Sequence, residues 1–340
     1  MANLRRRRSD ALRIVLSVAV LLSWSIAGCA EPHSQTAQTT AVNAILDAFS
    51  THELVALGES HGIVQISDFR LALIQDARFP EVVDDVVVEF GNSIHQDLAD
   101  QFVSGSHIER EELVRIWQDT GLPFGLWDVP VYEEVFQAVR AVNVRRPKAK
   151  HVRILLGDPP LDWDQVRSSR ELQEWGKRRD TFPAELIQRE VLRKDRKALI
   201  LYGAWHTARV SYVSREGRVA EPLVALLERQ PGARVFTIDL SANVGEDVVT
   251  IDPYIGSLPS PSLVILAGTR LGSSVSEGLA EWSATPLPRQ RLYDAFIYLG
   301  PRSMMRQSNL EPEWTGSPYY HDMRMGRAFL SRLPASCVPE

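Results

Sequence analysis

Two Gly-x-x-His tetrads, each directly after a short apolar run, are the first indication of a chemical site. They occupy residues 58–61 (Gly-Glu-Ser-His) and 203–206 (Gly-Ala-Trp-His). The apolar runs have the pattern of buried β-strands, and open α/β sheets build their sites at the carboxyl ends of such strands. Either tetrad alone is a weak motif. Because both share the same context, we expect His61 and His206 to meet in one crevice.

Carboxylates at the ends of further predicted strands add to the two histidines. Glu59 lies inside the first tetrad, Glu89 closes the next apolar run, and Asp158 follows a third. Buried carboxylates are costly without a partner, and imidazole with carboxylate suits zinc, manganese, cobalt or iron. The predicted ligands of one divalent metal ion are His61, His206, Glu89 and Asp158. Metal-bound water would be the nucleophile, with Glu59 or Glu89 as a further ligand or as general base.

Arg70 lies on the helix predicted to follow the first tetrad, in one row with Ile66, Leu73 and Ile74. An arginine in an apolar stripe needs an anion, which is either a site carboxylate or a substrate anion or developing oxyanion. In the alternative interpretation its stem packs while its head reaches solvent. The predicted catalytic residues are Glu59, His61, Arg70, Glu89 and His206.

A serine-hydrolase interpretation uses some of the same residues. Residues 58–62 (Gly-Glu-Ser-His-Gly) match the nucleophile elbow Gly-x-Ser-x-Gly between a strand and a helix. Asp158 and His206 follow Ser60 in the order of a Ser–Asp–His triad. However, an elbow normally comes after several strands and an oxyanion loop, whereas only about 25 residues of the mature chain precede this one. A third possibility is a polar core network without activity.

Strand-like and helix-like segments alternate along the chain, which indicates βαβ units. The sequence therefore predicts an α/β fold, a mainly parallel sheet with helices on both faces and the motif residues at the carboxyl ends of the strands. The predicted strands are 53–57, 83–89, 152–156, 198–202, 234–239, 262–267 and 294–299. The predicted helices are 63–77, 93–103, 109–119, 131–145, 184–195 and 221–230.

Two longer segments interrupt this alternation. Residues 105–130 form a possible lid over the crevice that carries Trp117, Phe124 and Trp127, or else a surface helix that these aromatic side chains pack. Residues 255–290 are rich in Gly, Ser and Pro, and we expect a long irregular excursion there.

The N-terminus resembles an export signal. An arginine run and an apolar stretch at 14–26 lead into Ile-Ala-Gly-Cys, which resembles a bacterial lipobox ending at Cys29. We therefore expect a signal peptide at 1–28, a polar tether at 29–42 and one α/β domain at 43–335. The expected location is the cell envelope, with the protein lipid-anchored to the outer membrane through Cys29 and facing the periplasm.

Charge and cysteine count exclude several classes of partner and site. Without residues 1–28 the chain has 33 basic and 42 acidic residues, so its net charge is about −9. This acidic balance argues against a nucleic-acid partner. With two cysteines in the whole chain, a disulfide framework and a cysteine-based zinc site are both excluded. The oligomeric state is not indicated.

The two tetrads with an acidic strand end between them resemble the Tiki/TraB, erythromycin-esterase and ChaN group of proteins. The resemblance extends over residues 53–210, and the segment 291–299 resembles the closing strand of these proteins. It implies an α/β sheet whose motif residues cluster at one edge.

Members of this group differ in activity. Tiki-like proteins are described as metal-dependent proteases. Resemblance to them implies that His61 and His206 are metal ligands and that Glu89 is the acidic residue of the site. Erythromycin esterases carry Gly-Glu-x-x-His-Gly followed by an arginine, which Glu59, His61 and Arg70 resemble with a loop one residue shorter. ChaN-like proteins are lipid-anchored and bind haem through a tyrosine that no motif assigns here. The sequence thus predicts a metal-dependent hydrolase of a small molecule or peptide, with a haem- or iron-binding lipoprotein as the alternative.

Overall fold

The strands of the protein follow the apolar runs closely. The computed structural model describes residues 32–122, 125–214, 217–276, 283–310 and 318–331. Its strands are β1 (Leu54–Glu59), β2 (Asp85–Asn92), β3 (Arg153–Asp158), β4 (Ala198–Gly203), β5 (Tyr212–Val213), β6 (Val219–Ala220), β7 (Val235–Asp239), β8 (Ser262–Ile265) and β9 (Ala295–Tyr298). All seven predicted strands are confirmed as members of one sheet, while the short antiparallel hairpin β5–β6 was not predicted.

The central sheet has the order β3–β2–β4–β1–β7–β9–β8 and is parallel except for the edge strand β8. After β1 the chain runs to one side of the sheet, through β2 and β3, and after β4 it passes to the other side, through β7. The strand order therefore reverses beside β1. Open α/β sheets form their crevices at such a switch point, outside the carboxyl ends of the strands. This is where both tetrads lie.

Helices cover the sheet on both faces, as predicted. Those of at least eight residues are Pro32–Ala48, Val64–Gln75, Gln96–Val103, Pro130–Asn143, Ser169–Gly176, Thr181–Glu190 and Pro318–Ser331. Shorter α-helical segments are Phe79–Val82, Arg110–Leu113, Arg115–Gln118, Ala204–Thr207, Leu223–Leu227, Ala242–Gly245, Val248–Ile251, Pro253–Gly256 and Arg270–Ser273.

Side-chain alternation along β1 shows why both faces are buried. Val55 and Leu57 join the hydrophobic cluster that contains the helix Val64–Gln75. Leu54 and Ala56 point to the opposite face and join a second cluster. A strand with apolar residues on both faces is stable only when helices cover both, as in parallel sheets.

The N-terminal helix corrects one prediction. It begins at Pro32, so residues 32–42 belong to a helix and the predicted tether is wrong there. Ala41, Val42 and Ile45 are buried in the main core, because they recur on one face of this helix. In the part of the chain that the structure describes, no helix is both long and apolar enough to cross a membrane. The predicted signal peptide and Cys29 lie outside the described residues.

The described part of the possible lid, residues 105–122 and 125–130, contains two short helices, Arg110–Leu113 and Arg115–Gln118. Trp117 and Trp127 are buried in the main core, as the packed-helix interpretation requires, while Phe124 lies outside the described residues. The excursion at 255–290 contains β8 and two short helical segments, with residues 277–282 outside the description.

Candidate active site

The two tetrads interlock at the ends of neighbouring strands. β1 and β4 pair in parallel with Glu59 opposite Gly203. A Cβ atom at Gly203 would lie 2.9 Å from His61 Cε1, and one at Gly58 would lie 2.3 Å from Thr207 Oγ1. Both distances are too short for non-bonded atoms, so only glycine lets each tetrad approach the other. The predicted meeting of His61 and His206 follows from this packing, since each also approaches Glu89.

His61 is held by a carboxylate at Nδ1, and its side chain is partly exposed. Its Nδ1 lies 3.1 Å from Glu59 Oε1. An ionised carboxylate only accepts hydrogen bonds, so Nδ1 carries the proton and Nε2 has a free lone pair when the ring is neutral. The Trp127 ring packs edge-on against the imidazole, with 4.6 Å between ring centroids. About a quarter of the His61 side chain, 26%, is exposed.

Glu59 is fixed by two further groups. The Arg70 guanidinium pairs with Glu59 Oε2, and the Tyr132 hydroxyl donates to Oε1 at 3.2 Å. The same Tyr132 oxygen accepts from the backbone N–H of Gly62 at 2.8 Å. Arg70 is 1% exposed, so its guanidinium does not reach solvent. Its anion is the site carboxylate Glu59, one of the two partners predicted for it. This pairing leaves Arg70 behind Glu59, away from the solvent-facing side of His61.

Glu89 lies between the two histidines. The pairing of β2 with β4 ends at Val88, and the register of β2 with β3 shifts between Val88 and Asn92. Such irregularities turn a side chain away from the regular alternation. Glu89 accepts from the backbone N–H of Gly203 at 2.6 Å and pairs with Arg179. Burial raises the pKa of Glu89, but the positive charges around it hold that pKa well below its ordinary value.

His206 has a carboxylate at each ring nitrogen. Its Nδ1 lies 2.6 Å from Asp180 Oδ1 and its Nε2 lies 3.3 Å from Glu89 Oε1. Burial lowers the pKa of His206, yet Glu89 and Asp180 outweigh this and raise it to about 10. His206 is therefore an imidazolium cation at neutral pH.

The pKa of His61 is raised less. Burial lowers it and the charge of His206 lowers it further, while Glu89 and Glu59 raise it above the ordinary value of 6.5. Its Nε2 is 4.0 Å from Glu89 Oε2, which is too far for a hydrogen bond. His61 can thus take up and release a proton at Nε2.

Asp158 lies beside this network and contacts Arg179. Its Oδ1 is 3.6 Å from Arg179 Nε, and its Oδ2 accepts from the Gly121 backbone N–H at 3.3 Å. Burial raises the pKa of Asp158 to about 7, although Arg179 lowers it. A carboxyl group that stays protonated to such a pH is a poor ligand for a cation.

The arrangement does not fit the predicted metal centre. Both oxygens of Glu89 are engaged by Arg179, His206 and Gly203, and both nitrogens of His206 face carboxylates. Arg70, Arg179 and the His206 cation already neutralise the carboxylates that were expected to require a metal ion. Within the described residues, no three His, Cys, Asp or Glu side chains form a group that could hold one. As placed here, His61, His206, Glu89 and Asp158 are engaged with one another and with arginines and do not form one ligand set, so a metal ion bound by them stays a prediction.

The serine triad is not formed either. His206 contacts Asp180 and Glu89, whereas Asp158 contacts Arg179 and Gly121. Ser60 lines the cavity described below, but the triad order in the sequence does not become a hydrogen-bonded relay.

Sequence reasoning missed four residues of the site. They are Trp127, Tyr132, Arg179 and Asp180. Trp127 was considered only as a lid residue. Arg179 and Asp180 directly precede the helix Thr181–Glu190, and neither belongs to a periodic pattern. The only indication in the sequence was that Arg179 and Asp180 are charged and lie near the start of a predicted helix. Many surface residues have the same property.

A cavity of about 280 Å³ opens beside His61 at the switch point of the sheet. Its walls come from the ends of β1 and β4, from the segment after β7 and from the segment before β9, and include Glu59, His61, Trp205, Ser241, Glu246, Arg289 and Tyr293. Arg289, from the segment before β9, donates from Nη2 to Glu246 at 2.7 Å and from Nε to Asp239 at 3.1 Å. His61 is thus the titratable imidazole that lines this space.

Solved structures share this architecture. Erythromycin esterase EreC, as a histidine-to-asparagine mutant in its open conformation, superposes with a TM-score of 0.53 at 11% identity, covering 79% of this chain and 94% of its own. The chain has the erythromycin-esterase fold. A Bacillus cereus protein matches with a TM-score of 0.53 at 9% identity, covering 81% and 95%. A succinoglycan biosynthesis protein matches with a TM-score of 0.52 at 11% identity, covering 82% and 98%.

These likenesses concern the fold alone, because identity is low throughout. No protein-family model matches the chain, and no curated protein matches it in sequence. The sheet topology and the likeness to the erythromycin-esterase fold confirm the predicted α/β class. The motif residues lie at the strand ends, as predicted. The chemistry has to be argued from the side chains described above.

Proposed function

We propose that the protein is a hydrolase of small-molecule esters in which His61 is the general base. The observation that carries the proposal is the pairing of Glu59 with His61 Nδ1, in a histidine that lines a cavity and whose Nε2 has no hydrogen bond to the described residues. A histidine oriented by a carboxylate is the commonest general base in enzymes. The likeness in fold to erythromycin esterase agrees with acyl hydrolysis and does not specify the substrate.

In the proposed reaction His61 Nε2 removes a proton from a water molecule in the cavity. The resulting hydroxide attacks the ester carbonyl carbon, and the C–O bond to the alcohol then breaks. The proton on Nε2 passes to the departing alkoxide, which restores the neutral imidazole. During these steps the ring becomes an imidazolium, and the Glu59 carboxylate at Nδ1 stabilises that charge.

Arg70 and Tyr132 support the base without touching substrate. Together they fix both oxygens of Glu59, so the carboxylate cannot rotate away from His61. His206, a permanent cation, opposes the two carboxylates that raise the pKa of His61. Without it, His61 would stay protonated to a higher pH and would be a poorer base at neutrality.

The size of the cavity favours a small molecule over a peptide. At about 280 Å³, it is at the lower end of the range for small-molecule sites, roughly 300–1,000 Å³. The test is hydrolysis of p-nitrophenyl acetate and p-nitrophenyl butyrate by the purified protein after dialysis against EDTA. We expect turnover that requires His61 and survives chelation. No turnover above the rate of the His61→Gln variant would contradict the proposal.

Lipid anchoring in the cell envelope is the second part of the proposal. It is supported by the lipobox-like sequence ending at Cys29. Expression of the full chain in a bacterial host with labelled palmitate should give a labelled, membrane-bound protein, and Cys29→Ser should abolish the label. Equal labelling of both proteins would contradict it.

Haem binding stays an alternative prediction. Titration of haem into the same preparation distinguishes it, since bound haem would shift the Soret band at low micromolar concentration. A saturable shift without ester hydrolysis would replace the proposed function.

A further inference from the structure

The helix Pro318–Ser331 is joined to the rest of the protein by buried charges. The Arg324 guanidinium pairs with Asp128, and both side chains are almost fully buried, with exposures of 1% and 0%. The Tyr320 hydroxyl also donates to the same Asp128 oxygen, Oδ2. Arg327 contacts the carbonyl of Gln118. This end of the chain is therefore docked onto the segment that contains Trp127.

A buried ion pair is a poor source of net stability. Removing two charges from water costs several kcal/mol per ion, and apolar replacements are often neutral or stabilising. In this pair Asp128 Oδ1 and Arg324 Nε are buried. Neither atom has a hydrogen-bond partner among the described residues. Because a planar guanidinium fixes the direction of a carboxylate, such a pair can specify a conformation. The question is which conformation it specifies.

Asp128 directly follows Trp127, whose ring borders the catalytic imidazole. The Asp128 backbone N–H donates to the carbonyl of Gly125 at 3.0 Å, closing a turn around Trp127. The indole packs edge-on against His61 and also against Tyr132, with 4.9 Å between the Trp127 and Tyr132 ring centroids. Its Nε1 is buried and has no hydrogen-bond partner among the described residues. Packing and the neighbouring turn therefore hold this ring.

We propose that Arg324 is a positioning residue for the reaction: by fixing Asp128, it holds the Trp127 indole against His61 and so keeps His61 Nδ1 directed at Glu59. The inference rests on the proposed role of His61. Arg324 does not line the cavity, and its effect reaches the imidazole only through Asp128 and Trp127. When Trp127 is free to rotate, the His61 ring is free to turn and both of its neutral tautomers become populated.

The test reads the His61 ring directly and needs no substrate. Long-range ¹H–¹⁵N correlation spectra of the full-length protein, recorded at pH 9 with ¹⁵N-labelled histidine, report which ring nitrogen is protonated, and His61→Gln assigns the signal. We expect one Nδ1–H tautomer in the wild type, a mixture in Arg324→Gln, and only partial recovery in Arg324→Lys, which restores the charge without the planar guanidinium. His321→Gln, at an exposed position on the same helix, is the matched control and should leave the signal unchanged.

Ester hydrolysis gives a second readout. Arg324→Gln should lower kcat by about tenfold with little change in KM, as expected when a general base is misdirected while the binding cavity is intact. A folded Arg324→Gln protein with a wild-type His61 tautomer overturns the inference. If that variant does not fold, Tyr320→Phe, which removes only one hydrogen bond to Asp128, takes its place with the same criteria. Loss of the proposed function would show separately, as hydrolysis that survives His61→Gln.

Discussion

The two motif histidines have the same local sequence pattern but differ in how strongly their surroundings raise the pKa of the ring. His61 has one hydrogen-bonded carboxylate, at Nδ1, and its side chain lines a cavity. His206 has a carboxylate at each nitrogen, and its pKa is raised to about 10. The pKa of the first is raised less, and the second is a cation at neutral pH. A motif thus places an imidazole at a strand end, while its partners decide what the imidazole does.

The largest effect should come from removing the base. His61→Gln should lower kcat/KM for p-nitrophenyl acetate by about 10²- to 10⁴-fold, the usual contribution of a general base. His52→Gln is the matched control, since His52 lies before the start of β1, at the opposite end of that strand from His61. A His61→Gln protein as active as the control would remove His61 from the reaction.

The second effect concerns the carboxylate that orients the base. Glu59→Gln should lower kcat/KM by about 10- to 100-fold, because a neutral amide can no longer stabilise the imidazolium or hold a single tautomer. The loss should appear in kcat. If KM alone rises, Glu59 binds substrate instead of orienting His61.

The third effect separates the two histidines. His206→Gln removes a positive charge that lowers the pKa of His61, so that pKa should rise by about one unit. Since a base must be deprotonated to act, the acidic limb of the pH–rate profile should move to higher pH. The loss should be about tenfold below the pKa of His61 and should disappear well above it. An equal loss at every pH would show that His206 acts in some other way.

The smallest effect on activity should come from Asp158. Asp158→Asn should leave kcat/KM within about twofold, since Asp158 contacts Arg179 and no cavity residue. A loss of 10²-fold or more would restore it as a ligand or catalytic residue.

The same variant should change how stability depends on pH. The folded pKa of Asp158 is about 7, above its ordinary value of 3.8. The unfolded chain therefore releases this proton first, and the group reduces the free energy of unfolding as pH rises from 4 to 7. Asp158→Asn removes that dependence, so the variant should gain stability relative to the wild type over this range, by on the order of a few kcal/mol. Urea unfolding at several pH values measures it. A constant difference would contradict the raised pKa.

The sequence predicted the scaffold well because local patterns determine it. Apolar runs gave all seven strands of the sheet, and the positions of Glu59, Glu89 and the two histidines followed from where those runs end. The parallel sheet then brought them together. The same reasoning missed the helix Pro32–Ala48, since its Ser, Gln and Thr residues hid the apolar face formed by Ala41, Val42 and Ile45.

The same reasoning could not predict which charged residues neutralise the carboxylates of the site. A metal ion was inferred because the carboxylates had no visible cations, yet Arg179 supplies one from a turn 90 residues beyond Glu89. Asp180, its neighbour, turns His206 into a cation. Contacts of this kind depend on how a non-periodic turn docks onto the sheet, and neither spacing nor composition encodes it.

The contrast between the two histidines is tested most directly by an NMR titration of their ring nitrogens in the wild-type protein. As the pH rises we predict that His61 loses a proton first and keeps the other on Nδ1, while His206 is still protonated on both nitrogens. If His206 becomes neutral before His61, or if neutral His61 carries its proton on Nε2, the assignment of one base and one fixed cation is contradicted.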